Sequence, residues 1–175
     1  NYQKIIEVLN HENKNIVAFR PSINNLEHWF TEENLEILGK LKTLISDIKN
    51  EKSKNFLELV FLSIIKAVSQ ADNSSPKPYV SKKIIKIAPN ALEKFTATFE
   101  KYREKLEEYF KLKLLNTVKI ADGDALYTSN DFKADIAITS PPYINAFDYP
   151  RTLRLENLWM ETHTEATLLD SKSKY

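Results

Sequence analysis

Between Lys52 and Ser69 the chain carries Phe56, Leu57, Leu59, Val60, Phe61, Leu62, Ile64, Ile65 and Val68, with no glycine or proline among them. Wound at helical pitch, these side chains leave almost no polar face, and a helix apolar on nearly every side belongs inside a bundle. Such a helix needs partners, and the neighbouring sequence supplies them. Thr31, followed by Glu32 and Glu33, reads as an N-cap with an acidic first turn. The helix it opens runs to about Lys49 and keeps Leu35, Leu38, Leu41, Leu44, Ile45 and Ile48 at three-to-four spacing. A loop follows over residues 71–78. A third helix from Pro89 or Asn90 to Leu112 then sets Leu92, Phe95, Phe99, Tyr102, Leu106 and Tyr109 alternately three and four apart, a narrow packing seam. Ile5, Ile6, Val8 and Leu9 suggest a short helix before a polar break that ends at Arg20-Pro21.

The character changes after Asn116. Thr117-Val118-Lys119-Ile120-Ala121 reads as a short strand entering the turn Asp122-Gly123-Asp124. Asp135-Ile136-Ala137-Ile138-Thr139 reads as a buried parallel strand, stopped by the prolines of Ser140-Pro141-Pro142-Tyr143. Residues 150–162 are expected to be helical, with Pro150 suited to the first turn. The predicted organisation is a helical, insertion-like block over 1–114 and part of an α/β core over 115–175. In open α/β sheets, ligands sit beyond the C-terminal ends of the strands.

Composition narrows the function classes. Hydrophobic residues are 42% and charged residues 28%, a globular balance, and the net charge of +1 creates no global field for a polyanion. Any DNA contact must come from a local patch. There is no cysteine, which excludes disulfides, thiol nucleophiles and thiolate zinc sites. His11, His28 and His163 show no ligand spacing, so no metal is expected. No apolar run approaches the ~18–20 residues of a membrane span, and the expected location is cytoplasmic.

The tetrapeptide Ser140-Pro141-Pro142-Tyr143, directly after an apolar run, resembles the catalytic motif of DNA amino-methyltransferases that modify cytosine N4 or adenine N6. Asn145-Ala146-Phe147-Asp148-Tyr149-Pro150-Arg151, then Arg154-Leu155-Glu156 and Trp159, extends the likeness to a bacterial branch of that family. The resemblance implies a partial Rossmann-like class I methyltransferase sheet preceded by a large, mainly helical region. It implies S-adenosyl-L-methionine as cofactor and double-stranded DNA with a flipped target base as substrate. An exocyclic amine is a weak nucleophile because its lone pair is delocalised into the ring. By resemblance, Ser140 Oγ and the Pro141 carbonyl accept its hydrogens, Pro141 and Pro142 fix the backbone, and Tyr143 stacks on the base. Ser140 favours the cytosine amine, with adenine as the alternative. A restriction-modification system, with a restriction endonuclease as partner, is the implied setting.

Ile120-Ala121-Asp122-Gly123-Asp124 resembles the strand end that approaches the cofactor's adenine, making Asp124 the cofactor candidate and Asp122 a weaker one. A plain Asp-Gly turn is the competing reading. Asn145, Asp148, Tyr149, Arg151 and Arg154 are candidates for holding the flipped nucleotide, although a surface pairing of the arginines with Glu156 or Glu161 competes and Asp148 could simply cap a helix. Lys77, Lys82, Lys83 and Lys86 lie in a span, 73–92, without an acidic residue, and form the candidate phosphate patch. His28 and Trp29 read as packing residues.

The family also holds the methionine part of its cofactor on a glycine-rich turn. This chain has two glycines, Gly39 inside a helix and Gly123 in the turn above, and neither matches. Together with the absence of an initiator Met, this suggests a fragment of a larger methylase, with the glycine loop upstream and the chain alone inactive. The alternatives are a degenerate methyltransferase or non-catalytic helical interaction module, and a methyltransferase for an RNA or protein amine.

Overall fold

The computed structural model describes residues 2–10, 16–112, 118–120, 123, 133–140 and 149–170. Eight helices lie among them: α1 (Tyr2–Asn10), α2 (Leu26–Trp29), α3 (Glu32–Ser46), α4 (Glu51–Val68), α5 (Ala91–Lys111), α6 (Tyr149–Thr152), α7 (Arg154–Trp159) and α8 (Glu165–Asp170).

Local chemistry sets where the three long helices begin. Thr31 Oγ1 accepts from the Asn34 N–H at 3.3 Å, Asn50 Oδ1 from Ser53 N–H at 2.9 Å, and Asn90 Oδ1 from Leu92 and Glu93 N–H at 2.9 and 3.2 Å. Each cap satisfies donors that a first helical turn leaves without intrahelical partners.

Helix α4 is central, touching α3, α5 and α7. Leu57, Val60, Phe61, Ile64, Ile65 and Val68 are buried, as the apolar pattern predicts. Three neighbours do not close a full ring, however, and Lys52, Asn55, Leu59 and Ser63 form a stripe that faces solvent. The α5 seam is used unevenly for a related reason. Phe95 is fully buried, and Phe99 stacks on Tyr2 at 3.5 Å and meets Phe56 edge-on at 5.8 Å. Beyond Phe99, α5 continues for twelve residues, whereas α4 has only five before Phe56. The end of α5 therefore projects past α4 by about 10 Å, leaving Leu106, Tyr109 and Phe110 exposed.

Asn34 ties the helix ends together. Its amide Nδ2 donates to the Val68 and Pro89 carbonyls, both at 3.0 Å, and its Oδ1 accepts from the Ala91 N–H at 2.9 Å. Gly39 has a different role. A Cβ there would lie 2.4 Å from the Phe19 carbonyl oxygen, so only glycine lets residues 17–20 cross α3. Phe19 N–H donates to Gly39 O at 3.2 Å and Thr43 Oγ1 to Val17 O at 2.9 Å, pinning that crossing.

The C-terminal segment joins the same core. Leu155, Leu158 and Trp159 of α7 are buried, and the Trp159 ring lies 5.7–6.1 Å from those of Phe61, Phe30 and Phe19. Glu161, in left-handed conformation with φ 56°, turns the chain out of α7 while Thr162 N–H reaches back to Asn157 O at 3.1 Å. Among the described residues no strand forms. Residues 118–120 and 133–140 lie without a ladder partner, and Val118, Ile120, Ile136 and Ile138 are 72–94% exposed.

Candidate functional site

Ser140 closes the described run 133–140. It is exposed, and its hydroxyl has no hydrogen bond among the described residues. Pro141, Pro142, Tyr143, Asn145 and Asp148 lie outside the described residues, as do Asp122 and Asp124. Gly123 is exposed, with nothing within 4 Å of where a Cβ would stand.

Downstream, Tyr149 opens α6 and is half exposed, and Arg151 is exposed on the same turn. Arg154 is differently placed. Its guanidinium pairs with Glu165 at 2.6 Å and lies 5.3 Å from the centroid of the Trp29 ring. Glu165 also accepts from the Asn24 N–H at 3.3 Å. Arg154 thus fastens α7 to α2 and α8, with Glu165 as the acidic partner in place of Glu156 or Glu161. The Trp29 ring is buried as expected for a packing residue, whereas His28 is exposed and meets Trp29 edge-on at 5.1 Å.

Glu156, offered by the sequence as a surface partner for the arginines, instead turns its carboxyl inward. Its Oε2 is buried without a hydrogen-bond partner, as are Thr152 Oγ1 and Trp159 Nε1. Burial pushes the Glu156 carboxyl above the usual carboxylate range, opposed by a backbone hydrogen bond and by the Lys66 ammonium. The signal was present in the spacing. Glu156 and Trp159 stand three apart in the stretch expected to be helical, Thr152 stands four before Glu156, and Leu155 falls between them at the same spacing.

The lysines of residues 77–86 divide. Lys77, Lys82 and Lys83 are exposed. Lys86 turns inward, where its ammonium donates to Lys66 O at 3.1 Å, Ala71 O at 3.0 Å and Asn73 Oδ1 at 2.9 Å. Burial, reinforced by the nearby Lys66 ammonium, lowers Lys86 to about 8, against a smaller upward pull from Asp72. Lys66 is the meeting point: it acts on Glu156 in α7 and on Lys86, and donates to the Ser75 and Pro76 carbonyls. The basic connection and the helix that follows the Ser140 segment therefore converge on the C-terminal end of α4.

Two shallow clefts flank α1, one lined by Lys4, Asp47 and Asn50 and the other by Ile6, Leu92 and Thr96, and neither includes a predicted site residue. Among the described residues no cluster of His, Asp or Glu is arranged for a metal, and no helix is long and apolar enough to cross a membrane.

No family model matches the chain, and no solved structure matches it. Among curated proteins, it is similar to the Type II methyltransferase M.MvaI of Kocuria varians, 25% identical over 169 residues. The similarity is to a methyltransferase. It takes in 88% of this chain, both the helical region and the Ser140 segment, and the chain spans 37% of that relative's length.

Proposed function

We propose that the chain contributes the base-gripping part of an S-adenosylmethionine-dependent methyltransferase acting on the exocyclic amine of cytosine in double-stranded DNA, with adenine as the alternative base. The observation that carries this reading is Ser140-Pro141-Pro142-Tyr143 standing directly after an apolar run, in a chain that aligns along most of its length with a type II methyltransferase. Ser140 is exposed at the end of that run, where its hydroxyl can accept a hydrogen from an amine presented to it. Residues 118–120 and 135–139, whose isoleucines are exposed among the described residues, supply strands of an open α/β sheet in this reading. Chemistry beyond the C-terminal ends of those strands requires the target base to leave the duplex.

The described residues do not offer a cradle for the methionine part of the cofactor. The space beside Gly39 is filled by the Phe19 backbone and the Ala18 Cβ, and Gly123 stands in the open. In this reading that cradle belongs to the portion of the enzyme that the chain does not span. A second reading, a non-catalytic helical interaction module, draws support from the same missing cradle.

The test uses the intact reading frame with labelled S-adenosylmethionine and DNA, followed by nucleoside analysis. N4-methylcytosine is expected, with kcat falling about a hundredfold or more on Ser140→Ala, the scale of losing one well-placed hydrogen bond to a reacting group. Methyladenine would reassign the base. Transfer unaffected by Ser140→Ala would remove Ser140 from the site, and absence of both cofactor binding and transfer would favour the interaction module.

A further inference from the structure

The connection from α4 to α5 is built with an inverted pattern. Its first half is tied down by Asp72, whose N–H donates to Tyr79 O at 2.9 Å and whose carboxylate accepts from Ser74 N–H, Ser74 Oγ and Tyr79 OH at 2.6–2.9 Å. Its second half is tied down by Lys86, which donates to Lys66 O of α4 and to Ala71 O and Asn73 Oδ1 in the first half of the connection, and Asn34 holds Pro89 O. Exposure alternates along this stretch, with Lys86 turned inward and its neighbours Ile85 and Ile87 outward. They are 86% and 92% exposed, and Ile84 is 72% exposed. Ser81 Oγ accepts from the Lys83 and Ile84 N–H groups at 3.2 and 3.0 Å, making the bend that presents Lys82 and Lys83 beside them. A cation is thus sequestered while three isoleucines meet water, the reverse of what an uncovered surface strap would favour.

We propose that residues 81–87 are a DNA-contacting strap, in which Lys82 and Lys83 take backbone phosphates and Ile84, Ile85 and Ile87 lie against the sugar and base edges of a groove. This rests on the DNA reading above. Charge complementarity selects the occupant: residues 73–92 contain no acid, and the Lys82 and Lys83 ammonium groups have no ion pair or hydrogen bond among the described residues. Cations flanking apolar wedges is how proteins hold a deformed groove, as a flipped base demands. Position agrees, since Lys86 anchors the strap on the Lys66 carbonyl of α4 and Trp159 of α7 packs against Phe61 of the same helix.

The test measures binding of the intact reading frame to a fluorescein-labelled mixed-sequence duplex by anisotropy over a KCl series, with methyl transfer recorded on the same DNA. Lys82→Ala/Lys83→Ala should weaken binding and make the slope of log affinity against log salt shallower by about two. Ile84→Ser/Ile85→Ser should weaken binding about tenfold with the salt slope unchanged, as lost apolar contact would. Ile87→Ser alone, at the most exposed of the three, repeats the test if the double variant melts lower. Leu59→Ser, on the exposed stripe of α4, should bind like the parent. Wild-type binding by all strap variants overturns the proposal. So does an isoleucine variant that changes oligomeric mass or melting but not DNA affinity, which would mean that protein covers the strap. Methyl transfer with strap-independent binding overturns the strap alone; strap-dependent binding without transfer overturns the methylation reading and leaves the strap.

Discussion

At Asn34 one amide answers three backbone groups that the ends of two helices leave unpaired, the Val68 and Pro89 carbonyls and the Ala91 N–H. The residue is 3% exposed and its bonds to the Val68 carbonyl and the Ala91 N–H are buried, so water cannot take over those two. Asn34→Ala should destabilise the chain by about 3 kcal/mol, read from urea unfolding, because a buried carbonyl and a buried N–H lose their partner together. A stable Asn34→Ala would mean that the helix ends are held by packing alone. Gly39 carries comparable information in the opposite sense. Its place inside α3 looks like a weak point by propensity, and the crossing of residues 17–20 explains it. Neither residue advertises its role in the sequence, since both roles depend on atoms far along the chain.

Among the elements, α7 shows how an apolar helix can bury a charge. Leu155, Leu158 and Trp159 draw the helix into the core, and Glu156 goes with them. A carboxyl whose folded pKa is raised contributes its full stability below the unfolded value and loses it as pH rises through the folded one. At neutral pH the carboxylate is therefore a cost to the fold, offset in part by Lys66. Glu156→Gln should melt at a higher temperature than the parent at pH 7, and the difference should shrink as pH falls through the raised folded pKa toward 4.5, with no further change below it. A Gln variant that melts lower at pH 7 would show that the charge is well paired. The helix spans themselves were legible: Thr31 as a cap, and helices close to 31–49, 52–69 and 90–112, follow from capping chemistry and period. The uneven use of the α5 seam was not, because it depends on how far α4 extends beside it.

For the whole molecule, burial of α7 means that Leu155, Leu158 and Trp159 share one hydrophobic core with the long helices. Docking of α7 and folding of the bundle should then be one event. Leu155→Ala should lower stability by about 3 kcal/mol and shift helicity and tryptophan fluorescence to the same new midpoint. Two separated transitions would show that the tail docks onto a bundle that is already stable without it.

By itself, the sequence determined the helical period of the bundle and the capping of its long helices, because each depends on residues within a few positions of one another. It also marked the basic span between α4 and α5. Tertiary structure alone decided which lysine of that span turns inward, which acid pairs with Arg154, why Gly39 is a glycine and where Glu156 is buried. Those outcomes rest on contacts between residues distant in the chain, such as Glu165 with Arg154 and Lys86 with Ala71 and Lys66. Burial and hydrogen bonding are settled by whichever groups the folded chain brings alongside, and local sequence pattern does not encode that choice.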